Sequence, residues 1–447
     1  MADPATLRGG TPAAAARTSL PTRPLVLAAG AAAVTAAVLT GPAPGLVLVG
    51  AAGAVVLLVT AARPQVALLL LVAAGTLESF VPEVLGPQLT AVKVTGALAF
   101  ATFLLEAAIT RRPLRLDRSH ALLGLLLALA LVSTLGARSP VDALSVTLRY
   151  ASFAGLYLVA TQHAGDERFP ERVAWVASAA ASLAGLLAIR NFAAGTTSLA
   201  APTYGDSNDL AFLLVTALPL AAWLLWTPGT RRVLAGAMVT LIGVAAVLTL
   251  SRGALLALAV GVAWHAATER RHIPTLLLAA VVTASVGLLA VQQNPDRVAL
   301  SLEQKRNIAQ ENVETRLDAW RAAVELAADR PLTGVGPGNF GLYYFERTGR
   351  PPGTFGLRVV HDAYLDVAAE LGVTGLVLFV GFLGVVFFRA SVARRERRGP
   401  PGLAAAVRTA LLIAMVGGIT LSEQYYPPFW VLGALATVLV AMPPRRA

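Results

Sequence analysis

Long apolar runs separated by short polar segments constrain this chain more than any other feature of the sequence. A helix that crosses the hydrocarbon core of a bilayer needs about 17–25 mostly apolar residues. Fourteen runs approach that length: residues 25–41, 45–62, 65–81, 90–110, 119–136, 143–162, 172–193, 208–227, 231–250, 253–268, 274–292, 370–389, 404–421 and 426–442. Because several runs are short or separated by only a turn, the sequence predicts an all-α, polytopic transmembrane bundle of 12–14 helices.

The arginines orient these runs. With a cytoplasmic N-terminus, the arginine clusters between the runs fall on the cytoplasmic side, as the positive-inside rule requires. The predicted parts are a cytoplasmic tail (1–24), a transmembrane region (25–292), an extracytoplasmic and largely helical loop subdomain (293–369), C-terminal transmembrane helices (370–442) and a cytoplasmic tail (443–447). This topology predicts a multi-pass membrane protein with both termini cytoplasmic and a functional site on the extracytoplasmic face.

Composition excludes several function classes. The chain has no cysteine, so it has neither a disulfide framework nor a thiolate metal site. Its net charge of +11 does not indicate nucleic-acid binding, because the arginines lie in short clusters between apolar runs. The five histidines are scattered and no metal motif is present. We therefore expect no metal, no cofactor and no nucleic-acid partner.

Several cations lie at the extracytoplasmic ends of the predicted spans. These are Lys93, Arg149, Arg190 and Arg252. Lys93 and Arg190 are also compatible with simple snorkelling to the headgroups. Arg252 lies between two spans, next to Gly253, which permits close backbone approach. A cationic pocket at this depth suits a lipid phosphate, so Lys93, Arg149 and Arg252 are candidate ligands of a pyrophosphate.

His361 is the one histidine that this topology places on the extracytoplasmic side. An imidazole accepts a proton near neutral pH, which an attacking sugar hydroxyl requires. A histidine that only begins a helix is the alternative. Asp362, Asp366 and Glu370 follow at four-residue spacing on one helical face, with Tyr364 between them. These carboxylates either orient His361 or cap the helix, and capping suits Asp362.

Four segments together resemble a known family. They are "YGDSNDLAFLLVTALP" (204–219), "LSRGALLAL" (250–258), "RLDAWRAAVELAADRPLTGVGPGNF" (316–340) and "HDAYLDVAAELGVTGLVLF" (361–379). In this order, in a polytopic chain with a long extracytoplasmic loop, they resemble the O-antigen ligase and polymerase superfamily of bacterial membrane glycosyltransferases.

The resemblance implies a reaction and roles for individual residues. A glycan would move from an undecaprenyl-pyrophosphate carrier to the hydroxyl of a glycan or glycolipid acceptor, without a metal. His361 would be the base or would position the acceptor, while Arg252 and Arg316 would bind the donor pyrophosphate. Gly334 and Gly336 would form a turn beneath the site, and a plain structural turn is the alternative. Rival functions are a polytopic transporter, a lipid-linked glycan flippase and an assembly protein.

Overall fold

The described part of the chain begins near the third predicted span. The computed structural model describes residues 60, 63–80, 91–111, 113–197, 199–203, 206–226, 231–293, 295–349, 360–422, 424 and 426–445. The described residues from 63 onward belong to one compact unit. The predicted N-terminal tail and the predicted spans 25–41 and 45–62 therefore lie outside the described residues, apart from residue 60.

Helices make up nearly all of the regular structure of the described residues. They are α1 (Pro64–Leu77), α2 (Ala91–Thr110), α3 (Arg118–Leu135), α4 (Pro140–Thr161), α5 (Phe169–Ala194), α6 (Ser207–Leu225), α7 (Arg231–Leu248), α8 (Arg252–Thr268), α9 (Ile273–Gln293), α10 (Pro295–Asp329), α11 (Phe340–Thr348), α12 (Ala363–Arg395), α13 (Leu403–Gly417) and α14 (Pro427–Ala441). Two short 3-10 turns, Glu78–Phe80 and Arg270–His272, follow α1 and α8.

Twelve of these helices coincide with the last twelve predicted spans. Seven segments of the described chain are long and apolar enough to cross a membrane, and five more apolar helices are shorter. The predicted polytopic helical bundle is therefore confirmed. The remaining two helices, α10 and α11, lie in the predicted loop subdomain.

Small residues allow the central helices to pack closely. Helix α6 contacts α5, α7, α8 and α13, and most of its residues are buried. Helix α13 presents a nearly continuous buried run that begins with Leu403, Ala404, Ala405 and Ala406. Close packing of small side chains replaces the hydrophobic driving force that is absent between helices in lipid.

The long helix α12 contains a break near its beginning. Gly372 has a φ of +73°, and the carbonyl of Pro331 accepts a hydrogen bond from the N–H of Thr374 at 3.3 Å. Helix α12 as a whole packs against α10 and α11 of the loop subdomain and against α3, α13 and α14 of the bundle. Residues 363–369, which the sequence assigned to the loop, are thus the first turns of α12.

Candidate active site

Chain segments that are distant in sequence meet at the connection between α13 and α14, residues 418–426, here called the α13–α14 connection. The Gly418 carbonyl accepts a hydrogen bond of 2.7 Å from the N–H of Ala363. The Thr420 carbonyl accepts one of 3.1 Å from the Arg316 guanidinium. The connection therefore joins the end of the loop subdomain to the bundle.

His361 adopts an unusual backbone conformation at this junction. Its φ is +59°, a left-handed value that costs free energy for any residue with a Cβ. The N–H of His361 donates to the Ser422 hydroxyl at 3.0 Å. Two residues later, the N–H of Ala363 donates to the Gly418 carbonyl. The surrounding structure thus fixes a strained residue, which is typical of functional sites.

The imidazole of His361 is partly buried and has no hydrogen-bond partner among the described residues. Burial and the nearby positive charge of Arg316 lower the pKa of His361 to about 4, while Asp206 acts in the opposite direction. The ring is therefore neutral at physiological pH. A neutral, unpartnered imidazole can accept a proton from a ligand.

Arg316 projects from α10 toward the same connection. Its only hydrogen bond within the described part of the chain is the one to Thr420. A guanidinium carries five N–H donors, so most of them are available to a ligand. Burial lowers the pKa of Arg316 from its ordinary value, but arginine stays charged in proteins.

Arg252 is the first residue of α8 and is exposed. The next residue, Gly253, lies so close to Thr420 that a Cβ there would overlap the threonine hydroxyl. This close approach brings the start of α8 to the α13–α14 connection. Arg252 forms no hydrogen bond or ion pair with any described residue, so its guanidinium is available to a ligand.

The acidic residues after His361 have separate structural partners. Asp362 caps α12, because its side chain accepts hydrogen bonds of 2.9 Å from the N–H groups of Tyr364 and Leu365. Burial raises the pKa of Asp362 above its ordinary value. The Tyr364 hydroxyl donates to the Met415 carbonyl at 2.7 Å, which ties α12 to α13.

The glycine-rich turn after α10, which contains Gly334 and Gly336, contacts the first turns of α12. Gly334 has a φ of +64°, and a Cβ at this position would overlap the backbone of Glu370. The N–H of Gly336 donates to the Glu370 carbonyl at 3.0 Å. The Glu370 side chain accepts a longer hydrogen bond, 3.4 Å, from the N–H of Phe340. The turn and Glu370 therefore position α12 through backbone contacts.

The other predicted cations lie elsewhere in the bundle. Lys93 is exposed on α2, which packs mainly against α1 and α4, and Arg149 is exposed on α4. Neither helix makes extensive contact with α8 or α10. Arg190 is exposed near the end of α5, beside Asn191. The structure thus brings together Arg252, Arg316 and His361, but not the other three cations.

Sequence reasoning missed the polar residues of the α13–α14 connection. Gln424 is buried and donates to Asp366 at 2.7 Å, and the Tyr426 hydroxyl donates to Asp209 at 2.5 Å. The signal available was the polar stretch "SEQ" between the last two apolar runs. Within the described residues, no group of three or more His, Asp or Glu side chains suits a metal ion.

A family comparison covers most of this site. Residues 236–380 match a family model described as O-antigen ligase. This match confirms the O-antigen ligase resemblance. The O-antigen ligase match includes Arg252, Arg316 and His361, the three residues that the fold brings together, whereas Lys93 and Arg149 precede it. No curated protein matches the chain.

Proposed function

We propose that this multi-pass membrane protein is a glycosyltransferase that moves a glycan from an undecaprenyl-pyrophosphate carrier to an acceptor hydroxyl. The reaction would occur at the extracytoplasmic face, during assembly of a cell-surface polysaccharide. The convergence of His361, Arg316 and Arg252 on the α13–α14 connection carries the proposal. The O-antigen ligase match over the same residues supports it.

The available groups suit the leaving group and the nucleophile of a displacement reaction. Arg316 and Arg252 would bind the donor pyrophosphate, since guanidinium groups form paired hydrogen bonds with phosphate oxygens. As the glycosidic bond breaks, the same donors would stabilise the negative charge that develops on the departing pyrophosphate. His361 would accept the proton of the attacking hydroxyl. A single displacement of this kind inverts the configuration at the anomeric carbon.

The low pKa of His361 also makes its basicity depend on the donor. In the free protein, burial is the largest cause of the lowered pKa of about 4, and the positive charge of Arg316 lowers it further. A pyrophosphate bound to Arg316 would neutralise that charge, so the pKa of His361 would rise and the imidazole would become a stronger base. Binding of the donor would thus prepare the base for its role.

This coupling predicts two different pH profiles. A base works only when it is unprotonated, so activity is present above its pKa and is lost as the pH falls through it. We expect kcat/KM, which reports the free protein, to fall only near the pKa of about 4. We expect kcat, which reports the donor complex, to fall at a higher pH. Coincident acid limbs in the two profiles would contradict the coupling.

The decisive experiment uses the purified full chain in lipid nanodiscs with a defined polyprenyl-pyrophosphate glycan and candidate acceptors. Mass spectrometry identifies the product, and NMR determines its anomeric configuration. Growth of the glycan on its carrier indicates a polymerase, and transfer to another molecule indicates a ligase. Transfer that survives in the His361→Ala variant at the unaltered rate would remove the assigned base. In proteoliposomes, movement of an intact donor across the bilayer would favour the transporter or flippase alternative.

A further inference from the structure

A buried pair of side chains joins α12 to the α13–α14 connection. Gln424 donates its side-chain N–H to Asp366 Oδ2 at 2.7 Å. Asp366 is 1% exposed and Gln424 is 0% exposed. The backbone carbonyl of Gln424 accepts a hydrogen bond of 3.2 Å from the indole N–H of Trp430, so the connection is also held to α14.

Each side chain of this pair has one acceptor that no described residue satisfies. Asp366 Oδ1 and Gln424 Oε1 are buried and have no hydrogen-bond partner. Buried acceptors of this kind are rare, because no hydrogen bond offsets the free energy that their desolvation costs. Two of them within one hydrogen-bonded pair therefore require a common explanation.

A charged Asp366 would add a further cost. An ionised carboxylate in a protein interior requires a cation or a full set of hydrogen-bond donors. Asp366 forms no ion pair within the described part of the chain. On its own helix, Asp362 and Glu370 lie one turn before and one turn after it, and both are acidic. Arg316 reaches the α13–α14 connection from α10, but its hydrogen bond goes to the Thr420 carbonyl.

The other elements that pack against α12 supply no cation to Asp366 within the described residues. Helix α14 contains no charged residue, and Arg118 and His120 of α3 lie toward the opposite end of α12, near Arg389. The remaining cations of α10, α11, α13 and the turn after α10 contact other groups: Arg297 the carbonyls of Phe192 and Ala193, Arg321 Asp318, Arg330 the Tyr343 ring, Arg347 Glu325 and Asp329, and Arg408 Thr268. These surroundings favour a neutral Asp366.

A single proton on Asp366 removes all of these costs. A protonated carboxyl has one O–H donor. With the proton on Oδ1, this donor can bond to Gln424 Oε1 while Oδ2 still accepts from the Gln424 amide. The acid and the amide then form a closed pair in which both acceptors have partners and no charge is buried. A water molecule would satisfy the acceptors but would leave the charge.

We propose that Asp366 and Gln424 form a buried proton-binding site, in which Asp366 is a neutral carboxylic acid that donates to Gln424 and joins α12 to the α13–α14 connection. Ionisation of Asp366 would remove the donor, leave both acceptors without partners and bury a charge. The contact between α12 and the connection therefore weakens as the pH rises. This inference does not depend on the proposed function.

The stability of Asp366→Asn tests the proposal, because an amide keeps the donor at every pH and never carries the charge. A group that is protonated in the folded protein binds its proton more tightly there than in the unfolded chain. Its contribution to stability is complete below the unfolded pKa of about 3.9 and is lost as the pH rises through the folded-state pKa. We expect the melting temperature of the wild type in detergent to fall by about 4 °C relative to that of Asp366→Asn between about pH 5 and about pH 8. The matched control is Asp142→Asn, at an exposed carboxyl on α4, whose difference from the wild type should be the same at both pH values.

Infrared difference spectroscopy detects the proton itself. The C=O stretch of a protonated carboxyl lies at a higher frequency than the stretches of a carboxylate, and it shifts in D2O. We expect the wild-type spectrum at the lower pH to contain one such band that the spectrum of Asp366→Asn lacks. The band should disappear over the same pH range in which the relative melting temperature of the wild type falls.

The two readouts separate the possible failures. Absence of the band at the lower pH would mean that Asp366 is ionised, which overturns the proposal. A band that persists at the higher pH, with a constant relative melting temperature, would support the bound proton and overturn its release. Failure of Asp366→Asn to fold would also contradict the proposal, because the amide should satisfy both acceptors. A wild-type melting temperature that rises with added Na⁺ would assign the two acceptors to a cation instead.

Discussion

The two ends of α12 carry polar clusters of opposite character. Near the C-terminal end, Arg389 pairs with Asp117 at 3.0 Å and donates to Ser119 at 2.9 Å and to Thr437 at 3.0 Å. The Tyr157 hydroxyl bonds to the Thr437 hydroxyl at 2.6 Å. Near the N-terminal end, the His361 imidazole and most N–H groups of Arg316 lack partners within the described residues.

We propose that this difference separates polar groups that stabilise the fold from polar groups that bind a ligand. The Arg389 network joins α3, α4, α12 and α14, and each member has its partners within the protein. The net gain from such a buried network depends on its being fully satisfied. Among the described residues, the His361 imidazole and most N–H groups of Arg316 have no partner and lie beside a strained backbone, as the proposed binding site requires. The two clusters should therefore respond differently to substitution.

Substitution of His361 should have the largest effect on transfer. Loss of a general base typically costs 10²–10⁴ in rate, so we expect His361→Ala and His361→Gly each to lower kcat about a thousandfold. Their stabilities should differ, because glycine adopts a φ of +59° without strain whereas alanine does not. We expect the glycine variant to be more stable than the alanine variant by about 1 kcal/mol, measured by thermal unfolding in detergent. Equal stabilities would mean that the backbone at residue 361 is not strained.

Substitution of Arg389 should lower the stability of the protein and leave the rate of transfer unchanged. Arg389→Leu leaves Asp117 without its cation, although hydrogen bonds from Ser119 and partial exposure of Asp117 reduce the penalty. Burial raises the pKa of Asp117, but the hydrogen bonds from Ser119 and Arg389 outweigh burial, so its pKa lies below the ordinary value. We expect a loss of about 2 kcal/mol in the free energy of unfolding, with kcat per folded molecule unchanged.

The control for Arg389 lies on the same helix. Arg395 is 77% exposed, and its one ion pair with a described residue is a long one, with Glu396. Exposed pairs contribute little, so Arg395→Leu should change stability by less than about 0.5 kcal/mol. A large loss of kcat in Arg389→Leu at unchanged stability would mean that the two ends of α12 do not differ as proposed.

Arg316→Lys tests the geometry of the cation at the other end. Lysine keeps the positive charge but loses the planar pair of donors that matches a phosphate. We expect kcat/KM for the donor to fall about tenfold, the value of one charge-assisted hydrogen bond. Arg321→Lys is the matched control, since Arg321 lies on the same helix and is 76% exposed. Equal rates in Arg316→Lys and the wild type would indicate a contact through charge alone.

Much of this fold could be predicted, because few backbone conformations are stable in the hydrocarbon core of a membrane. A chain in hydrocarbon must satisfy its own N–H and C=O groups, so apolar runs of sufficient length become helices. Hydropathy places the start of α12 at residue 370, whereas the four-residue spacing of Asp362, Asp366 and Glu370 predicts a helix that begins near residue 362. Asp362 begins the helix earlier by capping it, and packing against α10 and α11 then buries its polar first turns.

The sequence did not predict which residues pack against one another within the site. Among the apolar residues at helical spacing in α10, Leu317 and Val324 are 43% and 54% exposed, whereas the smaller Ala319 and Ala323 are fully buried. Residue size decides this packing, because alanine lets α10 approach α12 closely. Likewise, no pattern in the sequence links residue 361 to residue 422. The predicted topology therefore suggested His361 and the family resemblance suggested Arg316, but neither pointed to Ser422 or Gln424.

The smallest expected effect belongs to the cations that the fold separates from His361. Lys93 and Arg149 are exposed on α2 and α4, whose main packing partners are not α8 or α10. We expect the double variant Lys93→Gln, Arg149→Gln to change kcat/KM for the donor by less than about threefold, because exposed charges on separate helices act on the site only through a screened field. A loss as large as that of Arg316→Lys would place both cations in the donor site. The donor site would then include residues of α2 and α4. The contrast between the two ends of α12 would no longer be sufficient to define the site.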